Sequence, residues 1–228
     1  MLHVMPAGVV VNAVPPVITF GTAVSDVDPV NRATYTFSLG TGTAATDRGV
    51  IIAVGVGGGG TGVVTGVTVD GNGASQLLLG TLDNEVHSGL FYRALPTGTS
   101  STFVVSCTPS PNKGHCGIVV LPVYGAAGTA YDTLFSATNP GTGTIDVSAG
   151  GIIVGYQVVS NATDRTFSWT GLDEAGIDEQ PIEVNQTTHS FAASVFTEAE
   201  VGRTITCTPS GATSLGENLV VVSMSVAA

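Results

Sequence analysis

Gly49-Val-Ile-Ile and Gly151-Ile-Ile-Val decide the fold: two apolar runs, each opened by a glycine, stand 102 residues apart. The same offset relates His87-Ser88 to His189-Ser190 and Ile118-Val-Val-Leu-Pro-Val to Val220-Val-Val-Ser-Met-Ser. Cys107-Thr-Pro-Ser and Cys207-Thr-Pro-Ser are identical at an offset of 100, so the second half loses two residues before this tetrapeptide and regains two after it. Such spacing reads as an internal duplication. A period near 100 exceeds the roughly 20–50 residues of solenoid and propeller repeats, so each copy is expected to be a domain with its own core.

Working outward, the copies run from Ile18 to Gly125 and from Ala126 to Ala228, with the Gly-, Ala- and Thr-rich stretch Gly125 to Gly143 as their natural connection. Within each copy, short β-type runs recur every 10 to 15 residues, punctuated by Gly, Pro, Asn and Asp. Thr34-Tyr-Thr-Phe-Ser-Leu alternates strictly, which places Tyr35, Phe37 and Leu39 on one face; Phe103, Val105 and Cys107 do the same. Further strands are expected at 49–56, 63–69, 76–79, 87–94 and 117–123, and in the second copy at 151–159, 166–170, 182–184, 190–197, 203–208 and 218–226. About seven short strands per copy with no helical period predict an all-β chain of two tandem duplicated β-sandwich domains, jelly-roll or immunoglobulin-like. A single large sandwich with one sheet from each copy is the structural alternative.

Only 10% of the 228 residues are charged, against roughly 25% in typical soluble domains, which argues against coiled coils and charge-rich disorder. Six Lys and Arg against 17 Asp and Glu give a net charge of -11. That excludes a phosphate-tracking nucleic-acid surface, because there are too few cations to displace counterions. The uncharged runs Gly49 to Val69 and Gly114 to Tyr131 are broken by glycines or by Pro122, so they suit buried strands and loops rather than a membrane span. Residues Met1 to Val17 lack the basic start and unbroken apolar stretch of a secretory signal. They read as an extended N-terminal arm, with Val9, Val10, Val11 and Val14 as its docking side chains. Three cysteines form no closed disulfide framework, which suits a reducing cytosol. Asn161-Ala-Thr and Asn185-Gln-Thr then match the glycosylation pattern by chance.

Candidate chemistry resolves into framework. Gly55-Val-Gly-Gly-Gly-Gly60 has dinucleotide-fingerprint spacing, but a second strand follows where a helix N-terminus is required, so it reads as a hairpin loop. Asp70-Gly-Asn-Gly is tight-turn chemistry rather than a calcium loop. His87-Ser88 and His189-Ser190 lack a nucleophile elbow and read as inherited framework. Cys107 and Cys207 point inward as small hydrophobes, whereas Cys116, whose partner position is Asn218, could lie across a hairpin from Cys107. Asp173, Glu174, Asp178, Glu179 and Glu183 form a solvated acidic loop, with a divalent cation as the alternative. No cofactor site and no catalytic group are expected.

The strings Gly42-Thr-Ala-Ala-Thr-Asp-Arg-Gly-Val-Ile-Ile-Ala-Val, Val67-Thr-Val-Asp-Gly and Leu90-Phe-Tyr-Arg-Ala-Leu-Pro-Thr-Gly-Thr resemble a group of virion proteins of tailed phages and gene transfer agents. Gly150-Gly-Ile-Ile-Val and Phe167-Ser-Trp-Thr-Gly-Leu-Asp-Glu extend the resemblance over residues 18 to 228. The resemblance implies a non-catalytic structural protein, a capsid decoration or head-fibre component assembled in the host cytoplasm. Its implied partners are other virion proteins and further copies of itself, as a homo-oligomer such as a trimer, without nucleic acid or membrane. The alternative is a receptor- or carbohydrate-binding module of a tail or fibre. Trp169, the single tryptophan, is its candidate glycan platform, although alternation also suits a core position.

Overall fold

The computed structural model describes residues 16–57, 62–81, 86–108, 115–160, 165–173, 180–182, 187–211 and 216–228. The first half runs through β1 (Thr19–Phe20), β2 (Val24–Asp28), β3 (Thr34–Gly40), β4 (Arg48–Gly57), β5 (Val64–Val69), β6 (Asn72–Gly73), β7 (Ser75–Leu79), β8 (Val86–Ala94), β9 (Ser100–Cys107) and β10 (His115–Tyr124). The second runs through β11 (Ala126–Ser136), β12 (Gly141–Val147), β13 (Ile152–Val159), β14 (Phe167–Thr170), β15 (Gln180–Ile182), β16 (Thr187–Val195), β17 (Glu200–Pro209) and β18 (Glu217–Val226). The chain is all-β, with no helix among the described residues.

Each half builds a large and a small antiparallel sheet. The large sheets are ordered β1-β10-β4-β8-β7, with β2 also beside β10, and β11-β18-β13-β16-β15. The small sheets are ordered β3-β9-β5-β6 and β12-β17-β14. The paths β10-β4-β8-β7 and β18-β13-β16-β15 correspond, as do β3-β9-β5 and β12-β17-β14, whereas β1 and β2 stand where the second half has β11, and β6 has no counterpart among the described residues. The small sheets obey the alternation seen in the sequence: Tyr35, Phe37, Phe103 and Val105 are buried while Thr34, Thr36 and Thr102 face out. Asp70 and Gly71 both take positive φ, 49° and 78°, in the two-residue turn joining β5 to β6, as tight-turn chemistry requires.

The stretch 125–143 is not a connection. It holds the 11-residue β11 and the start of β12. Strand β11 lies at a sheet edge with alternate residues toward solvent, so small and polar side chains replace the apolar run that marks a buried strand.

The large sheets behave differently. Strands β4 and β13 are buried along their whole length, and β10 and β18 nearly so, because both faces of each large sheet are covered. One core fills each sandwich, around Phe37, Phe91 and Phe103 in the first and Ile145, Phe167 and Ile205 in the second. A third core lies between the two large sheets, joining Ile51, Leu90 and Leu121 of the first half to Val154, Phe191 and Val222 of the second. The architecture is therefore a four-layer stack, small-large-large-small. Each half has two sheets of its own, so the chain is not a single large sandwich with one sheet from each copy, and the two large sheets share an interface. We call that interface the seam.

The faces reveal a mismatch with the 102-residue alignment. In β4, Ile51 and Ala53 face the seam while Val50, Ile52 and Val54 face the small sheet. In β13 it is the even-numbered Ile152, Val154 and Tyr156 that face the seam, and Ile153 that faces the small sheet. A shift of one residue exchanges the two faces of a strand, so an even offset pairs residues that look in opposite directions. By facing, the large sheets of the two halves correspond at an odd offset.

Glycines let the seam close. A Cβ on Gly55 would stand 2.6 Å from Val158 Cγ2 and 2.8 Å from the Tyr156 hydroxyl. Gly55 and Gly57 are thus strand residues set by sheet-to-sheet contact rather than by a hairpin loop; residues 58–60 of that glycine run lie outside the described residues.

Candidate functional site

The sequence-predicted positions scatter. Val9, Val10, Val11 and Val14 lie outside the described residues, as do Asn161, Asn185 and the acids Glu174, Asp178, Glu179 and Glu183. Trp169 is half-buried against the second sandwich core, its Nε1–H donating to Ser190 Oγ at 2.8 Å and its ring filling the space over Gly155. Among the described residues no group of three or more His, Cys, Asp or Glu could hold a metal ion. No helix is long and apolar enough to cross a membrane.

His87 and His189 do not occupy equivalent places. His87 lies inside the first sandwich, where its Nδ1 accepts the Val64 backbone N–H at 3.2 Å. His189 lies in the seam, its Nδ1 3.0 Å from the Tyr156 hydroxyl. Cys116 and Asn218 part in the same way: Cys116 packs in the first sandwich core, whereas Asn218 reaches across the seam. Cys107 and Cys116 are not neighbours on a hairpin, because β9 and β10 belong to opposite sheets of that sandwich. All three cysteines are buried and none is in a disulfide. Burial pushes the Cys107 thiol up to about 12 and raises Cys116 well above its ordinary value.

Two polar arrangements remain. The first is the polar end of the seam. Asn218 binds both Ser88 Oγ and, through its Nδ2, the Thr81 carbonyl at 2.6 Å, tying the halves together. Beside it, the His115 ring has no hydrogen-bond partner among the described residues at either nitrogen, and His189 Nε2 and Thr187 Oγ1 are likewise unpartnered there. A Cβ on Gly57 would stand 2.8 Å from Thr187 Oγ1 and 3.3 Å from His115 Nε2, which places the two side chains around one point. Burial holds both imidazoles neutral, lowering His115 to about 4 and His189 to about 4, the latter with a further push from His115. Burial lowers His87 as well. The side chains of Ser88, His115, Thr187, His189 and Asn218 are all buried here.

The second is open. A cleft of about 350 Å³ at the end of the second sandwich is lined by Gly171, Leu172, Asp173, Ser194, Val195, Phe196, Glu200 and Arg203. Strand β14 stops at Thr170, and Gly171 turns there with φ 89°, leaving β17 uncovered over its first residues. Arg203 fills that gap. Its Nε donates to the Gly171 carbonyl at 2.8 Å, its Nη1 to Glu200 Oε2 at 2.7 Å, and its guanidinium lies 4.6 Å over the Phe196 ring. Opposite, Asp173 is clipped to β16 by its own N–H to Ser194 Oγ at 2.7 Å and by Ser194 Oγ donating to Oδ2 at 3.1 Å. The sequence pattern places Asp173 in an acidic loop and does not single out Ser194, near the end of β16, or Glu200 and Arg203, in the first residues of β17. The only signal was that Arg203 is one of six cations in the chain.

No family model and no curated protein matches the chain. Among solved structures, dimeric latent PorU from Porphyromonas gingivalis aligns at a TM-score of 0.31 and 10% identity, over 90% of this chain and 22% of that one. The naturally occurring empty particle of Cowpea mosaic virus aligns at a TM-score of 0.24 and 10% identity, over 99% of this chain and 95% of that one. The chain thus spans less than a quarter of PorU, and at these scores neither likeness assigns a family.

Proposed function

We propose that the chain is a structural protein of a tailed-phage or gene-transfer-agent particle, a capsid decoration or head-fibre component acting through shape and attachment. The observation that supports this reading is the four-layer stack. Its large sheets are buried on both faces, which makes a stiff block whose outer layers present Thr and Ser. The strings that resemble virion proteins touch β4, β5, β8, β13 and β14 and the turns beside them. A net charge of -11 keeps such a surface soluble and repels nucleic acid.

Attachment is assigned to the N-terminal arm. Its exit is fixed, because the Ile18 N–H donates to the Gly150 carbonyl of the second half at 2.8 Å. Removal of residues 1–15 should leave the circular dichroism and thermal midpoint unchanged and abolish incorporation into particles. Mass spectrometry of purified particles and a cryo-electron-microscopy map test the two parts separately. Absence of the full chain from particles refutes the virion reading, whereas incorporation of the truncated chain refutes only the arm.

A further inference from the structure

We propose that the cleft between Asp173 and Arg203 binds a neutral carbohydrate through neighbouring hydroxyl groups. This inference is independent of the virion reading. The two side chains line one cleft yet form no ion pair with each other; the Arg203 ion pair runs to Glu200. Each is held by bonds that use part of its capacity. Arg203 spends Nε and one Nη1 hydrogen, leaving Nη2 without a bond to a described residue, and Asp173 spends Oδ2, leaving Oδ1 likewise.

The unspent groups are thus a donor fork and a carboxylate acceptor facing one space. A sugar hydroxyl donates and accepts at once, so adjacent hydroxyls can satisfy both groups. A phosphate or carboxylate ligand would meet Asp173 and Glu200, and an ammonium would meet Arg203, so a neutral polyol is the chemistry that fits. Because Ser194, Gly171 and Phe196 already hold these side chains, little conformational freedom is lost on binding. Trp169, with its ring over Gly155 and its N–H bonded to Ser190, is not the platform in this scheme.

The test applies the full chain to an array of neutral glycans, with hits titrated by calorimetry. Binding should weaken at least tenfold in Asp173→Asn and in Arg203→Lys, each with an unchanged thermal midpoint, and should be unaffected in Tyr131→Ser, an exposed position on β11. Amide shifts in two-dimensional NMR on adding the bound glycan should centre on Ser194 and Arg203, which keeps the proposal testable should a variant misfold. Absence of any bound glycan, binding that survives both cleft substitutions, dependence on Tyr131, or shifts centred elsewhere would each overturn it.

Discussion

Acidification should loosen the stack well before carboxylates titrate, and the seam histidines set the size of the effect. His115 and His189 are fully buried, and burial lowers each from 6.5 to about 4. No acid faces them. In the seam Tyr156 bonds His189 and Thr187 stands near His115, while alternation turns Cys116 and Glu217 toward the sandwich cores. The sign follows from linkage: between pH 6.5 and 4 the unfolded chain binds protons that the folded chain refuses, so stability falls as pH falls. At about 1.4 kcal/mol per pKa unit, each histidine removes about 2 kcal/mol between pH 8 and pH 5, and about 3 kcal/mol once the pH is below 4. Because the two interact, the sum belongs to the pair: about 4 kcal/mol at pH 5. For a chain of this length that is a fall in thermal midpoint of roughly 8–16 °C. His87, lowered by burial in the first sandwich, acts in the same direction.

Scanning calorimetry at pH 8, 7, 6 and 5 measures this directly. His115→Leu isolates the cause, since the ring bonds nothing among the described residues and its loss orphans no partner there. The variant should equal or exceed wild type in stability at pH 7 and lose about half of the pH slope. A midpoint that stays level from pH 8 to pH 5, or a variant with the wild-type slope, refutes the reasoning.

Four further outcomes follow from named contacts. Gly55→Ala should cost about 1–3 kcal/mol in urea unfolding by overfilling the seam against Val158 and Tyr156; a neutral result would return this glycine to a hairpin loop. Arg48 is fully buried, its guanidinium donating to the carbonyls of Leu95, Gly42 and Thr97, so Arg48→Met should destabilise by about 3 kcal/mol or more in the same assay by stranding three acceptors. The three buried cysteines should resist a thiol reagent in the native protein and react fully in urea; rapid native labelling would show that they are not core. Residues 126–228 expressed alone should aggregate or bind a hydrophobic dye, because the face carrying Val154, Phe191 and Val222 loses its cover; a soluble, cooperative half-chain would contradict the shared core.

The legible parts of the fold are those buried on one side. Strands β3, β9 and β17 alternate, and Tyr35, Phe103, Ile205 and Cys207 fall inward as the sequence predicts. Strands β4, β10, β13 and β18 were visible as apolar runs, but a run that never alternates names no face, so the seam was hidden in the same residues that revealed the strands. The matching His-Ser pairs then misdirected the comparison of the halves, since an even offset ignores which side a residue faces. Edge strand β11 carried no apolar signal. The cleft was beyond reach for a different reason: Asp173, Ser194 and Arg203 meet only because β14 ends early, and chain termination of a strand has no fixed residue pattern.

A clue to the seam did lie in the sequence. An antiparallel sandwich ordinarily keeps one face of each sheet wet, and its strands alternate accordingly. Val50-Ile-Ile-Ala-Val54 and Ile118-Val-Val-Leu121 do not, and the residues that interrupt such runs are glycines rather than polar side chains. Unbroken apolar strands in a chain with hairpin-type connections therefore imply a second covering layer, and here the large sheet of the other half supplies it. Covering both large sheets at once makes the halves interdependent: the hydrophobic gain that holds each sandwich closed on one side is matched by the gain that holds the pair together on the other. The polar tie of Asn218 to Ser88 and Thr81 fixes their relative position where the apolar contacts alone would permit sliding.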